Sequence, residues 1–423
     1  MNFWEAFKEI SNTDWENKIK KDLKIDSIES LKWVTPYGLI NPISNFDQKL
    51  ITGNPSKFNE LCWKFDVNNC TNNNLLSSLK NGINAINIVN SPLKENLFDN
   101  VMNNIIFNNI LFDHNLNEPD QKNWIKWINS DQTNKGSLRI DSISSAIDES
   151  LVLKHNIDYN TLKLTSKQLT NQNFSCLFID AVKYGDFFTD INLEIAFTIA
   201  HINESIEIYN KLDIPIPNKL IVKISTSADF LQETSKIRAL KALVIQVLKV
   251  QQCKMEIQFE TSYKETILSP TEKENNLLRL TTGFISSIIS GVNGIELNDN
   301  LSIKKGDYWK KIIANIPIIL VEESQLNSKE DKINGAHVIE QMSYKMAQQS
   351  WLAFKDIENK GGLLKYTKDG LLKEIVIKQQ IKKYNEIENE LNKIIGFNHF
   401  TKINRKPKND KNLELPFYLS DLI

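Results

Sequence analysis

The sequence predicts an α/β fold: a (β/α)8 TIM barrel with an N-terminal helical extension and a long C-terminal helical tail. Three observations carry this expectation. Between Leu177 and Thr282, short apolar runs (178–181, 220–225 and 255–261) alternate with helical periodicities of more than ten residues, 230–249 among them. Strands separated in this way by helices imply a parallel sheet with helical crossovers. At 423 residues the chain accommodates a barrel of roughly 250 residues plus extensions. After Ala336 the helical periodicity runs on with no strand pattern to interrupt it.

The elements follow in order. Trp4, Phe7 and Ile10 share one helical face, and Trp15, Ile19 and Leu23 another; Thr13 followed by Glu16 has the spacing of a capping box. An amphipathic start of this kind packs on its own barrel or on a partner surface. Residues 31–38 read as an alternating strand closed by a proline–glycine turn, and 41–81 are Asn-rich and only partly periodic. Residues 83–89 read as the first barrel strand, 105–112 as a second βα element and 137–140 as a short strand. Trp124, Trp127 and Ile128 mark a helix, and 141–170 contain at least one more.

From 174 onwards the pattern sharpens. Strand 174–181 precedes helix 192–212, which Pro215 and Pro217 end; strand 220–224, helix 230–249, strand 255–259 and helix 274–290 follow. Gly291 and Gly294 stop that last helix before strand 294–298, and Pro317 is expected to kink or break a helix over 309–320. Helices over 336–359 and 367–395 meet at Gly361 and Gly362, and 402–411 form a basic, solvated connection. The expected division is an extension over 1–35, a barrel over 36–330 and a tail over 331–423.

Composition excludes several function classes. A net charge of −1 supplies no field to attract nucleic acid or an anionic membrane, and no apolar run approaches the roughly 20 residues of a membrane span. Cys62, Cys70, Cys176 and Cys253 are scattered with no CxxC pair, which suits reduced thiols in a cytoplasmic protein. His114, His155, His201, His337 and His399 form no ligand-spaced cluster, so each reads as a surface or helix-packing residue and no metal site is expected. Phosphate-loop, GxGxxG and GxSxG patterns are absent. In a barrel, chemistry sits at the carboxyl ends of the strands, here 180–184, 225–227, 260–262 and 298–299. Lys183, Tyr184 and Ser262 are candidates there, and Arg238 on its helix is a candidate anion binder. Tyr184 reads equally as core, and Arg238 equally as a partner of Glu233.

Several segments resemble one family. FLQETSKIRA (230–239) is similar to the FFxEIAKxRAxR helix of methylmalonyl-CoA mutases, and Thr261-Ser262 with NLLRLTT (276–282) to their TS…DPYVNLLRTT segment. VEESQL (321–326), HVIE (337–340) and AQQSWLAFKDIENKGG (347–362) resemble further stretches, while WENKIKKDL (15–23) and WVTPYG (33–38) resemble the opening of the family's small subunit. The family's catalytic chains carry GYHMQEAGA at a strand end; an ungapped alignment on 194–200 puts Val182 and Lys183 at its tyrosine and histidine. The small-subunit version, VDASxYHNAGA, fits Ile179-Asp180-Ala181 and Tyr184 better and leaves Gly185 at the histidine. The YPTMY, TIQND and KE[FY] motifs are missing, and no room is left after the tail for the cobalamin domain with its DxHxxG loop.

The resemblance implies a non-catalytic β subunit that binds no cofactor and stabilises a catalytic large (α) subunit in a heterodimer. Adenosylcobalamin would sit in that partner, and the holoenzyme would interconvert methylmalonyl-CoA and succinyl-CoA by a radical rearrangement. The alternative is a cobalamin-independent acyl-CoA-binding barrel enzyme in which Lys183, Tyr184 and Arg238 converge on one pocket.

Overall fold

The computed structural model describes residues 10–35, 38–40, 50, 58–66, 71–89, 110–112, 125–131, 135–147, 151, 153, 157, 159–301, 306–327, 330–400 and 419. Trp4, Phe7, Cys70, Ile105, His114, Trp124, His155 and the basic connection over 402–411 lie outside them. Eight strands form one sheet: β1 (Glu60–Asp66), β2 (Ala85–Val89), β3 (Ile110–Phe112), β4 (Gly136–Leu138), β5 (Leu177–Asp180), β6 (Lys219–Thr226), β7 (Glu256–Tyr263) and β8 (Gly294–Leu297). Every neighbouring pair is parallel, and the order is β4-β3-β2-β1-β8-β7-β6-β5. That order is cyclic, with the last strand beside the first and the sheet's two edges at β4 and β5. No ladder joins those edges among the described residues, but they meet. Leu138 N–H donates to the Phe174 carbonyl at 3.0 Å, and the Cys176 thiol donates to the Leu138 carbonyl at 3.3 Å.

The strand sequences explain the two faces. Along β6, Leu220, Val222 and Ile224 belong to the large apolar cluster beneath the helices, while Ile221, Lys223 and Ser225 turn the other way. The helix-facing side is continuously aliphatic, as a buried parallel sheet requires. The opposite side is mixed: Phe178, Ile221 and Cys176 make one small apolar group and Cys62 and Ala85 another, with charged residues above them.

Helices α2 (Asn72–Lys80), α3 (Ser142–Ala146), α4 (Tyr159–Gln168), α5 (Val182–Phe187), α6 (Ile191–Lys211), α7 (Phe230–Val250), α8 (Asn275–Ile289) and α9 (Asp307–Glu322) follow strands of the sheet. Asp190 caps α6 by accepting from Asn192 N–H, and Asp229 caps α7 by accepting from Gln232 N–H. α8 ends where Gly291 turns left-handed at φ 71°.

The sequence expectation needs correcting in three places. The first strand of the sheet is Glu60–Asp66, inside the stretch that shows little periodicity, and 85–89 is the second. The helix before the sheet, α1 (Asn12–Leu23), is capped by Ser11 with Asp14 rather than by Thr13 with Glu16. α9 runs unbroken through Pro317, held by its packing against α8. The last helices, α10 (His337–Asn359), α11 (Gly362–Lys368) and α12 (Leu371–Glu388), fold back on the rest: α10 packs on both α6 and α7 and shares the main core through Met342, Met346 and Phe354. This second layer explains why α6 is buried almost all round.

By contrast α1 buries nothing, and Trp15 and Leu23 keep 47% and 55% of their surface exposed. Residues 33–35 and 38–40 pair as an antiparallel hairpin, with Trp33 and Val34 also exposed.

Candidate functional site

The carboxyl ends of β5, β6 and β7 are joined by one buried polar network. Beyond Asp180 the chain turns directly into α5, which carries Gly185 over β6. A Cβ built on Gly185 would stand 1.8 Å from Ser225 Oγ and 3.0 Å from Glu194 Oε1. No side chain fits there unless Ser225 gives way. Ser225 Oγ donates to Glu194 Oε1 at 2.8 Å, and Lys236 Nζ donates to the same oxygen and to the Ser225 carbonyl, each at 2.8 Å. Glu233 lies 2.6 Å from Lys236, and Lys264 Nζ donates to Glu194 Oε2 at 3.2 Å. Burial alone would push the Glu194 carboxyl up, but Lys236 and Lys264 together hold it well below the usual range. Two carboxylates and two ammonium groups close into a balanced, water-excluded cluster.

Above this cluster opens a cleft of about 390 Å³. Phe188, Ala228, Ile267, Ile394 and Ile395 give it apolar walls; Asp186, Asp229, Tyr263, Lys264, Arg279 and Lys383 supply polar ones. Asp186 accepts from Thr266 Oγ1 at 2.9 Å, and burial raises its pKa to about 6 against the pull of Thr266 and Lys264. Arg279 donates to Asn276 Oδ1 at 2.8 Å and to the Ile395 carbonyl at 2.6 Å, which ties the segment after α12 across one side of the cleft.

The sheet's inner face is filled with charge. Arg139, just after β4, reaches Glu260 on β7 at 2.6 Å, Glu60 on β1 at 3.9 Å and Glu296 on β8 at 4.0 Å. Lys223 on β6 spans Glu296 at 3.2 Å and Asp180 at 2.9 Å, and Asn87 on β2 donates to Glu296 at 2.6 Å. Glu296 is held down to about 2, because Lys223, Lys64 and Arg139 outweigh its burial. Glu60 rises to about 8 through burial and the nearby Glu260 charge.

None of the four sequence-predicted residues lines the cleft. Tyr184 is wholly buried on the helix side of the sheet, its hydroxyl 3.2 Å from His201 Nδ1, while His201 Nε2 lies 2.9 Å from Asp141. Lys183 donates to the Ser144 carbonyl at 3.2 Å, and burial lowers its pKa against the pull of Asp141 and Asp180. Arg238 joins α7 to α10 through Asp331 at 2.5 Å and Glu340 at 2.6 Å, and Glu233 pairs with Lys236 instead. Ser262 is buried on the inner face, in register with Ser225 and Glu296. Lys183, Tyr184 and Arg238 therefore do not share a pocket. The residues that do meet, Asp186, Tyr263, Lys264 and Arg279, belong to no spaced motif. Arg279 alone carried a signal, as the arginine of NLLRLTT.

A sequence profile described as methylmalonyl-CoA mutase matches residues 154–415. The chain belongs to the methylmalonyl-CoA mutase family. The matched region begins ahead of α4 and takes in β5 to β8 and all the later helices, whereas the segments at 15–23 and 33–38 lie outside it. Methylmalonyl-CoA mutase from Rhizobium meliloti is 21% identical over 51% of this chain and 31% of its own length. The methylmalonyl-CoA mutase small subunit from Porphyromonas gingivalis is 23% identical over 54% of this chain and 38% of its own. That from Propionibacterium freudenreichii is 26% identical over 21% of this chain and 15% of its own. The matches thus span well under half of the relatives. At Gly185, a side chain of any size would enter the space that Ser225 fills.

Proposed function

We propose that this chain is a non-catalytic small subunit of an adenosylcobalamin-dependent methylmalonyl-CoA mutase, folded as a closed (β/α)8 barrel, which stabilises a catalytic large subunit in a cytoplasmic heterodimer. The observation that carries this reading is the packing of Ser225 against Gly185. The position has lost its side chain and also the room for one, so the loss is built into the core. The inner face supports the same reading, since Arg139, Lys223 and their carboxylate partners occupy the space a substrate would need.

Adenosylcobalamin does not fit the described residues of this chain. His201, the buried histidine, has both ring nitrogens engaged, by Asp141 and Tyr184, and the strand end beside Gly185 has no space for a histidine. The cofactor and the rearrangement are therefore assigned to the partner. The exposed apolar residues of α1 and the following hairpin, Trp15, Leu23, Trp33 and Val34, suit the surface that holds it. The second reading, an independent acyl-CoA enzyme, loses its motive because Lys183, Tyr184 and Arg238 stand apart. Co-expression with a large subunit from the same genome tests the proposal. A stoichiometric complex with higher mutase activity than the large subunit alone is expected; a stable monomer that ignores the large subunit overturns it.

A further inference from the structure

The strand-end cleft contains a buried donor without a partner and an arginine without a carboxylate. Tyr263, at the end of β7, is wholly buried, and its hydroxyl has no hydrogen-bond partner among the described residues. A buried phenol usually finds one. Arg279, in the second turn of α8, lines the same cleft, and both its hydrogen-bond partners among the described residues are neutral: the Asn276 amide oxygen and the Ile395 carbonyl. No carboxylate lies within ion-pair distance of it among the described residues. Of the three lysines around the cleft, Lys264 is already balanced by Glu194, and Lys383 lies near Asp186. An arginine with neutral partners beside an idle phenol is a donor pair suited to a carboxylate.

The remaining walls select what that carboxylate is attached to. Phe188, Ala228, Ile267, Ile394 and Ile395 offer an apolar lining, and about 390 Å³ is ample for a short chain. Asp186, Asp229 and Glu386 outnumber Lys383 and Lys393 around the same cleft, which leaves Arg279 to receive one negative charge and disfavours a second. We propose that the cleft binds a small aliphatic monocarboxylate, its carboxylate received by Arg279 and Tyr263 and its chain lying against Phe188, Ile267 and Ile394. This site goes beyond the subunit role proposed above and does not depend on it.

Titration calorimetry on the full chain, with octanoate, octanedioate and inorganic phosphate as probes, tests the site. Octanoate is expected to saturate it, and octanedioate and phosphate to bind at least about tenfold more weakly. Tyr263→Phe is the decisive variant because the hydroxyl makes no hydrogen bond among the described residues. It should leave the melting temperature unchanged or higher while weakening octanoate by about tenfold, the loss of one hydrogen bond to a charged group. Arg279→Gln should weaken octanoate further. Failure of octanoate to saturate, or equal affinity for Tyr263→Phe and the parent, overturns the site. Phosphate or octanedioate binding as tightly as octanoate overturns the ligand class. None of these outcomes bears on whether the chain pairs with a large subunit.

Discussion

Arg139 and Glu260 stand 2.6 Å apart although four strands of sheet separate those that carry them. In a flat sheet the separation would be about 24 Å, five strand spacings, so the pair exists only because the sheet curls until β4 faces β7. Replacing Arg139 with Met strands Glu260 without its cation, while Glu296 keeps Lys223, and a loss of about 3–5 kcal/mol is expected. Combining it with Glu260→Leu should recover much of that loss. Urea unfolding of the single and double variants measures both.

Gly185 and Ser225 make a second pair. Gly185→Ala puts a methyl where Ser225 stands and should cost about 1–3 kcal/mol by overpacking. Adding Ser225→Gly makes the room and should restore part of the stability, so the two substitutions are non-additive in a double-mutant cycle. Equal melting temperatures for Gly185→Ala and the parent would contradict the packing described.

The pH dependence has two limbs of opposite sign. Glu60 rises from 4.5 to about 8 on folding, so between these values the unfolded chain has released a proton that the folded chain retains. That group's contribution is intact below pH 4.5 and is lost as pH rises towards 8. Glu296 falls from 4.5 to about 2, so its contribution is present above 4.5 and lost as pH falls towards 2. Glu60→Gln should therefore stabilise the chain at pH 8 more than at pH 4.5, as read from melting temperatures across that range.

Arg238 is expected to matter for stability alone. Removing it with Arg238→Met leaves Glu340, in the first turn of α10, buried without a cation, at a cost of about 3 kcal/mol or more. Hydrogen exchange should show the loss first as faster exchange along α10, with the sheet affected less.

α1 supplies the complementary case. Because Leu23 keeps 55% of its surface exposed, Leu23→Asp should leave the unfolding free energy of the isolated chain within about 0.5 kcal/mol of the parent. The same substitution should weaken capture of a large subunit. Unchanged capture would move the interface elsewhere.

Much of the fold was legible where the physics is local. Strands β5 to β8 and helices α6, α7, α8 and α10 announce themselves by unbroken aliphatic runs and long periodicities, and their bounds fall within a few residues of expectation. β1 escaped because Glu60, Cys62 and Lys64 face a charged interior, so the strand lacks the apolar continuity that marks its neighbours. The cleft escaped for another reason. Asp186, Tyr263 and Arg279 come from three elements spread over ninety-odd residues, and only the curl of the sheet brings them together. Arg238 misled because an arginine on a helix looks the same whether it awaits a ligand or ties down a neighbouring helix.

The unladdered seam between β4 and β5 has its own consequence. It coincides with the linker between α3 and α4, close to where the family match begins at residue 154. The sheet is thus two four-stranded halves zipped by a ladder along β1–β8 and buttoned on the far side by single hydrogen bonds such as Leu138 N–H to the Phe174 carbonyl. A protease nick in that linker would sever covalent continuity without breaking a single ladder. The two fragments should then stay associated, and separately expressed halves should reassemble, a behaviour that would make the seam a natural place to split and rejoin this protein.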